Sequence, residues 1–180
     1  MAPVIYRERF VPNPDDVFAA LMRLPWSRRR GAFGHDVPRD EVWVGPRDYV
    51  YSGRRYPAYD GWTPELLSIK ATVEAATKTQ YDSVLCNLYR SGLDSVDKHC
   101  DCEPEMSDAH PIASVSLGAA RVFRMMPKAR RKDTTEMTLA HGSLLVMLPG
   151  MQAEWLHWVP KAAREVGPRI NLTFRVMTVP

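Results

Sequence analysis

Cysteine is scarce in this chain: only Cys86, Cys100 and Cys102 occur. So small and odd a set does not build the disulfide framework of a secreted domain, and a reducing compartment is expected. No stretch approaches the ~20 consecutive apolar residues of a membrane-spanning helix. Met1–Phe10 lacks the apolar core of a signal peptide. Charge of one sign is not in excess either. The net charge of +3 permits a nucleic-acid partner without demanding one. No internal repeat and no low-complexity tract is present. What is there, 180 residues at 45% hydrophobic and 25% charged, suits one soluble globular domain with a real core.

The first third of the chain is irregular. Val4–Val11 reads as a short strand. Asn13-Pro14-Asp15-Asp16 is a helix start, with a capping residue, proline in the first turn and acids at the positive end of the dipole. Val17, Leu21 and Leu24 follow at helical spacing up to Pro25. Trp26–Gly34 carries Arg28-Arg29-Arg30, a solvated run or a phosphate-contacting patch. From Gly31 to Gly61, aromatics alternate with Gly, Pro and Arg. Tyr49 and Tyr51 lie two apart and share a face if extended. That face serves ordinary packing or the stacking of nucleobases. A second helix begins at Thr63-Pro64-Glu65 and buries Leu66, Ile69, Val73 and Ala76.

Beyond Thr79 the pattern becomes β. Ser83–Arg90, Ile112–Leu117, Ala120–Met126, Thr138–Leu139, Ser143–Leu148, Trp155–Val159 and Arg169–Met177 read as short strands separated by Gly, Pro or Asp. Many short strands with regular turn signals argue for a sandwich or barrel. The fold class is α+β, mainly β: a jelly-roll core, or double-stranded β-helix, preceded by helices.

Chemistry concentrates at Lys98–Glu103, K-H-C-D-C-E. On extended backbone, His99 and Asp101 point the same way. An imidazole and a carboxylate on one side of a metal are two thirds of the facial triad that holds non-haem Fe(II). An exposed loop would explain the pair equally well, so a second histidine matters. His157, in the strand-like W-L-H-W-V-P, is the attractive candidate; His141 looks like a turn residue. Cys100 and Cys102 offer a structural zinc site as a rival, without a second cysteine pair at finger spacing. Arg169–Arg175 alternates strictly. Ile170, Leu172 and Phe174 form one face, and Arg169, Asn171, Thr173 and Arg175 the other. That polar face belongs to an edge strand in water or clamps a dianion between two arginines. Asn87 and Tyr89 share a face of Leu85–Arg90 in the same manner.

Five segments then occur in a telling order: N-L-Y-R-S-G-L-D-S-V-D-K-H-C-D-C-E, I-A-S-V-S-L-G-A-A-R-V-F, H-G-S-L-L-V-M, W-L-H-W-V-P and P-R-I-N-L-T-F-R. Together they resemble the AlkB family of Fe(II)- and 2-oxoglutarate-dependent dioxygenases, in particular the branch that repairs alkylated nucleic acid. The likeness is dense from about Tyr81 to Val176. It is looser from Phe33 to Gly53, which resembles that branch's nucleotide-recognition segment.

The resemblance implies a single dioxygenase domain over residues 1–180. Roughly 1–62 would hold the N-terminal helix and recognition segment, and roughly 63–180 the catalytic jelly roll. It makes His99, Asp101 and His157 the catalytic iron ligands. Arg169 and Arg175 flank 2-oxoglutarate, with Arg175 on the distal carboxylate and Arg169 near the chelating end. Asn87, Tyr89 and Thr173 are further cosubstrate partners. For substrate it implies Tyr51 with Tyr49 as the base-stacking aromatics, Phe33 as the wedge that replaces a flipped base, and Arg39 as a nucleic-acid contact. The family's H-x-D-D-E pattern departs here. Cys102 stands where a second acid would contact the exocyclic amino group, with Glu103 next to it.

The implied activity consumes O₂ and 2-oxoglutarate and yields succinate, CO₂ and formaldehyde. It would demethylate bases such as 1-methyladenine and 3-methylcytosine in DNA or RNA. An intracellular monomer, in cytoplasm, nucleoid or nucleus, with no membrane partner, is the expected setting. A same-fold dioxygenase acting on protein or a small molecule, and a non-catalytic nucleic-acid-binding module, are the competing readings.

Overall fold

The computed structural model describes residues 2–30, 34, 36–51, 53–130 and 132–178, with only the backbone of residue 51. Two antiparallel sheets face each other. The larger has seven strands in the order β1 (Val4–Arg7), β11 (Ser143–Met147), β8 (Ile112–Gly118), β13 (Arg169–Arg175), β6 (Ser83–Tyr89), β3 (Asp36–Val44) and β2 (Ser27–Arg30). The smaller has four: β10 (Thr135–Leu139), β9 (Arg121–Pro127), β12 (Trp155–Val159) and β7 (Val96–His99). A separate two-stranded hairpin joins β4 (Tyr49–Tyr51) to β5 (Arg54–Tyr56).

The strand alternations sort side chains into two layers. Helices α1 (Pro14–Leu21) and α2 (Pro64–Thr77) cover the outer face of the large sheet. There Leu21, Leu66, Ile69 and Val73 pack with Val42, Val84, Cys86, Val115, Ile170, Leu172 and Phe174. The other face looks toward the small sheet. Ile112, Leu145 and Met147 meet Phe123, Met125, Leu139 and Val159, with Met151 of α3 (Met151–Glu154) filling the end. A jelly roll buries both faces of its large sheet in this way. The polar face of β13 therefore points between the sheets.

The second helix follows its sequence signals. Thr63 Oγ1 accepts from the Leu66 N–H at 3.3 Å, and Lys78 ends the helix in the left-handed region. The first helix is shorter than its apolar spacing implies and ends at Leu21; Asn13 itself is left-handed and makes no side-chain cap. Trp26–Gly34 is not simply a basic loop. Its residues Ser27–Arg30 form β2 against β3, where Arg28 pairs with Asp40 at 3.1 Å.

A division near residue 62 does not follow the architecture. The N-terminal stretch supplies β1, β2 and β3, three of the seven strands of the large sheet. β1 pairs with β11 and β3 with β6, so the segment is built into the core.

Candidate active site

β13 lies between β8 and β6, and all seven of its residues are buried. The exposed-edge reading of its polar face is thus excluded. Its register sets Arg169 opposite Tyr89 and Asn171 opposite Asn87 on β6. On its other side Asn171 faces Ser116 of β8. Arg39, Asn87, Tyr89, Arg169, Thr173 and Arg175 line one cavity together with His99, Asp101 and His157.

His99 ends β7, and Asp101 follows in the next loop. His157, on β12, sits directly opposite His99 in the strand ladder. Their rings lie 4.3 Å apart between centroids. The ligand atoms of His99, Asp101 and His157 fall within 4.8 Å of one another, a spacing suited to one metal ion. His99 Nδ1 is 2.8 Å from the Asp97 carbonyl oxygen, which can only accept. The proton therefore sits on Nδ1 and leaves the Nε2 lone pair facing Asp101 at 3.6 Å. Burial is the largest influence on His157 and, with His99 beside it, drives its pKa down to about 3. The ring stays neutral, as a ligand must.

Asp101 is held from two sides. Its backbone N–H donates to Gln152 Oε1 at 2.9 Å, and its Oδ2 accepts from Arg175 Nη2 at 2.8 Å. Burial works against the carboxylate's charge, but Arg175 and the two imidazoles outweigh it and keep the group well below the usual carboxylate range. Arg175 answers in kind: Asp101 overrides burial and holds the guanidinium above its ordinary value.

Arg169 sits at the other end. Its Nη2 donates to Ser116 Oγ at 2.9 Å and to Asn171 Oδ1 at 2.7 Å, and its guanidinium lies 5.1 Å from the Tyr89 ring centroid. Burial pushes its pKa down to about 10. Asn171 also accepts from Ser114 Oγ at 2.9 Å and donates to Thr173 Oγ1 at 2.8 Å. The two arginines stand the other way round from the resemblance's placement relative to the metal ligands. Arg175 is on the metal ligand and Arg169 is away from it, because they lie at opposite ends of a seven-residue strand.

Several buried polar atoms have no protein partner among the described residues: Nε and Nη1 of both Arg169 and Arg175, Asp101 Oδ1, and His157 Nδ1. Guanidinium N–H groups left buried and unpaired are costly. Here they fit a bound dianion, and the His-Asp-His cluster fits a divalent metal.

The substrate-side residues fare differently. Phe33 lies outside the described residues, and so does the Tyr51 side chain. Tyr49 is fully buried and stacks on Trp43 at 4.7 Å between ring centroids. Arg39 is a pocket wall rather than a surface contact. Its Nε donates to Asn87 Oδ1 at 2.8 Å and its Nη1 to the Ser95 carbonyl at 3.4 Å. Cys102 is exposed and carries no free thiol, since it forms a disulfide with Cys100. Joined in this way, the two sulfurs are not a zinc pair. Glu103 is partly buried, and burial with the neighbouring Asp101 carboxylate raises its pKa to about 7. His141 is the turn residue expected: its Nδ1 accepts from the Gly118 N–H at 2.8 Å.

Sequence reasoning missed three contributors. The serines of I-A-S-V-S-L, Ser114 and Ser116, were visible as period-2 polar positions. Gln152, on the four-residue α3, gave no signal.

Comparison with known proteins agrees with this geometry. Residues 18–175 match the 2OG-Fe(II) oxygenase superfamily. The chain is 41% identical to the Bos taurus "Alpha-ketoglutarate-dependent dioxygenase alkB homolog 3" over 175 residues, 91% of this chain and 61% of that protein. It is 37% identical to the Homo sapiens "DNA oxidative demethylase ALKBH2" over 150 residues, 78% of this chain and 57% of the relative. The chain thus spans about three fifths of the length of these curated relatives. Among solved structures, "The structure of OsALKBH1" superposes with a TM-score of 0.69 at 16% identity, covering 98% of this chain and 97% of that one, a likeness of fold.

Proposed function

The chain belongs to the 2OG-Fe(II) oxygenase superfamily, and on that premise we propose that it oxidatively demethylates alkylated bases in nucleic acid. The single observation that carries the reading is the buried polar face of β13, whose two arginines flank a His-Asp-His cluster in one cavity. The substrate class rests on relatives named as alkB homolog 3 and as a DNA oxidative demethylase.

His99, Asp101 and His157 would hold Fe(II), and Arg169 with the unpaired Nε and Nη1 of Arg175 would hold 2-oxoglutarate. When bound, these groups supply O₂ activation coupled to oxidative decarboxylation, which hydroxylates an N-methyl group that then leaves as formaldehyde. The protein's own residues do the rest. Arg169 keeps Nε and Nη1 without a protein partner, each able to donate to a carboxylate oxygen, while Ser116 and Asn171 fix Nη2. Arg175 steadies the Asp101 carboxylate in its ligand orientation, as outer partners of metal ligands do. Val96, Phe123 and Val159 add apolar wall to the cavity. A duplex substrate must present its base by flipping, at a cost of a few kcal/mol. This reading places the enzyme inside the cell, acting as a monomer.

The test is formaldehyde release from oligonucleotides bearing 1-methyladenine or 3-methylcytosine, in DNA and in RNA, with iron-loaded protein and 2-oxoglutarate. Stoichiometric formaldehyde and succinate are expected, and both should vanish with His99→Ala. Succinate without formaldehyde from every methylated base would instead point to a protein or small-molecule substrate.

A further inference from the structure

The carboxylate of Glu41 is fully buried, yet it is neither a metal ligand nor part of the cosubstrate cavity. It sits on β3 opposite Asn87 of β6. On one side its Oε1 lies 2.7 Å from Arg39 Nη2, and Arg39 in turn donates to Asn87 and Ser95 in the cavity wall. On the other side its Oε2 accepts from the Tyr56 hydroxyl at 2.5 Å and lies 3.5 Å from Arg54 Nη1. Arg54 and Tyr56 are the two ends of β5. One buried anion therefore joins the wall of the site to the β4–β5 hairpin.

That hairpin needs anchors. It belongs to neither large sheet, and an isolated two-stranded hairpin is marginal in water. Its β4 carries Tyr49 and Tyr51, with Tyr49 paired to Tyr56 across the ladder. Tyr49 stacks on Trp43, two residues beyond Glu41 on the same face of β3, and Arg175 lies over it at 5.7 Å from the ring centroid. The hairpin thus reaches the catalytic end of the site through Arg175.

We propose that Glu41 is a positioning residue that sets the β4–β5 hairpin relative to the cosubstrate pocket, and so governs how tightly nucleobase binding is coupled to 2-oxoglutarate turnover. A buried carboxylate held by two guanidiniums and a phenol is directional, and removing its charge leaves Arg39 and Arg54 without their shared counter-ion. This rests on the demethylase reading for its kinetic consequence, though not for its structural one.

Glu41→Gln in the full-length chain keeps the volume and removes the charge. With a 1-methyladenine oligonucleotide, KM is expected to rise about tenfold, the scale of a coupled buried pair. The ratio of formaldehyde to succinate should fall below about half, because a misplaced base lets the cosubstrate be consumed without product. The dissociation constant for 2-oxoglutarate, measured on Mn(II)-loaded protein without oligonucleotide, should change by less than about twofold, since Arg39 keeps Asn87 and Ser95.

Amide hydrogen exchange of the same variant, free of substrate, should show residues 49–56 losing protection while β13 keeps its own. Tyr56→Phe removes only the hairpin's donor and should shift KM and exchange in the same direction. The double variant should be no worse than Glu41→Gln alone. Unchanged exchange at 49–56 in both single variants overturns the inference, whatever the enzyme acts on. So do an unchanged KM and formaldehyde ratio in a protein that demethylates. A parent protein that releases no formaldehyde sinks the functional reading instead and leaves the exchange experiment to decide the role of Glu41.

Discussion

β13 and the β4–β5 hairpin both end at Arg175, and they get there by opposite means. β13 is a central strand, hydrogen-bonded on both sides, whose apolar face is pinned under two helices. Its polar face has almost no freedom, so Arg169, Asn171, Thr173 and Arg175 are set by the ladder itself. The hairpin pairs only with itself, and side chains hold it: Tyr49 on Trp43, and Tyr56 and Arg54 on Glu41. The residues around the candidate metal cluster are therefore set by backbone pairing, and the hairpin by side-chain anchors.

The comparison breaks most readily at Asp101. Asp101→Ala removes a metal ligand and leaves the Arg175 guanidinium buried without its partner. Loss of metal-dependent turnover is expected, together with destabilisation of about 3–5 kcal/mol by urea unfolding. A variant as stable as the parent would mean that Arg175 is not committed to Asp101. Tyr49→Ala tests the hairpin side. As a fully buried ring it should cost about 3 kcal/mol of stability. Were stability unchanged and only oligonucleotide affinity lost, Tyr49 would be a base-stacking residue after all.

Arg169→Lys replaces a fork by a point charge at the end of the cavity away from the metal. The 2-oxoglutarate dissociation constant should rise by about 1.5–3 kcal/mol in binding free energy, with the oligonucleotide KM little changed. Calorimetry on Mn(II)-loaded protein separates the two.

The smallest effect concerns Glu103 in metal-free protein. Its pKa is raised in the fold from an ordinary 4.5 to about 7. The folded state therefore keeps a proton that the unfolded chain has released. Stability falls as pH rises from 4.5 to about 7, and Glu103→Gln should flatten that limb. Asp101 runs the other way: its lowered pKa contributes stability that is lost as pH falls below its ordinary 3.8. A parent whose stability holds level from 4.5 to 7 would place Glu103 in water.

What the sequence revealed follows the same division. The β run after Thr79 and the α2 stripe were readable because period 2 and period 3.6 survive when one face packs on a core. The polar face of β13 was readable as a pattern but not as buried, since an edge strand alternates identically. Its centrality depends on β6 and β8, which come from distant parts of the chain. The metal triad was named in full through family resemblance. Before it, spacing offered His99 and Asp101, and a strand-like setting made His157 the candidate third ligand. Which arginine lies beside the metal ligand was not readable, because alternation tells which side a residue faces, not which end of the cavity it reaches. The strands of residues 27–56 were missed, their aromatics and arginines being spent on mutual contacts rather than on periodic burial. Nor did spacing separate a buried Tyr49 from an exposed one, or a thiol pair from a disulfide.

The pairing of His157 with His99 across β12 and β7 carries one more consequence. Side chains alternate along a strand, so slipping β12 by one residue would turn His157 to the other face and leave Leu156 or Trp158 opposite His99. Only one register presents a complete ligand set. A metal held by this triad would therefore favour that register over slipped competitors by its own binding free energy.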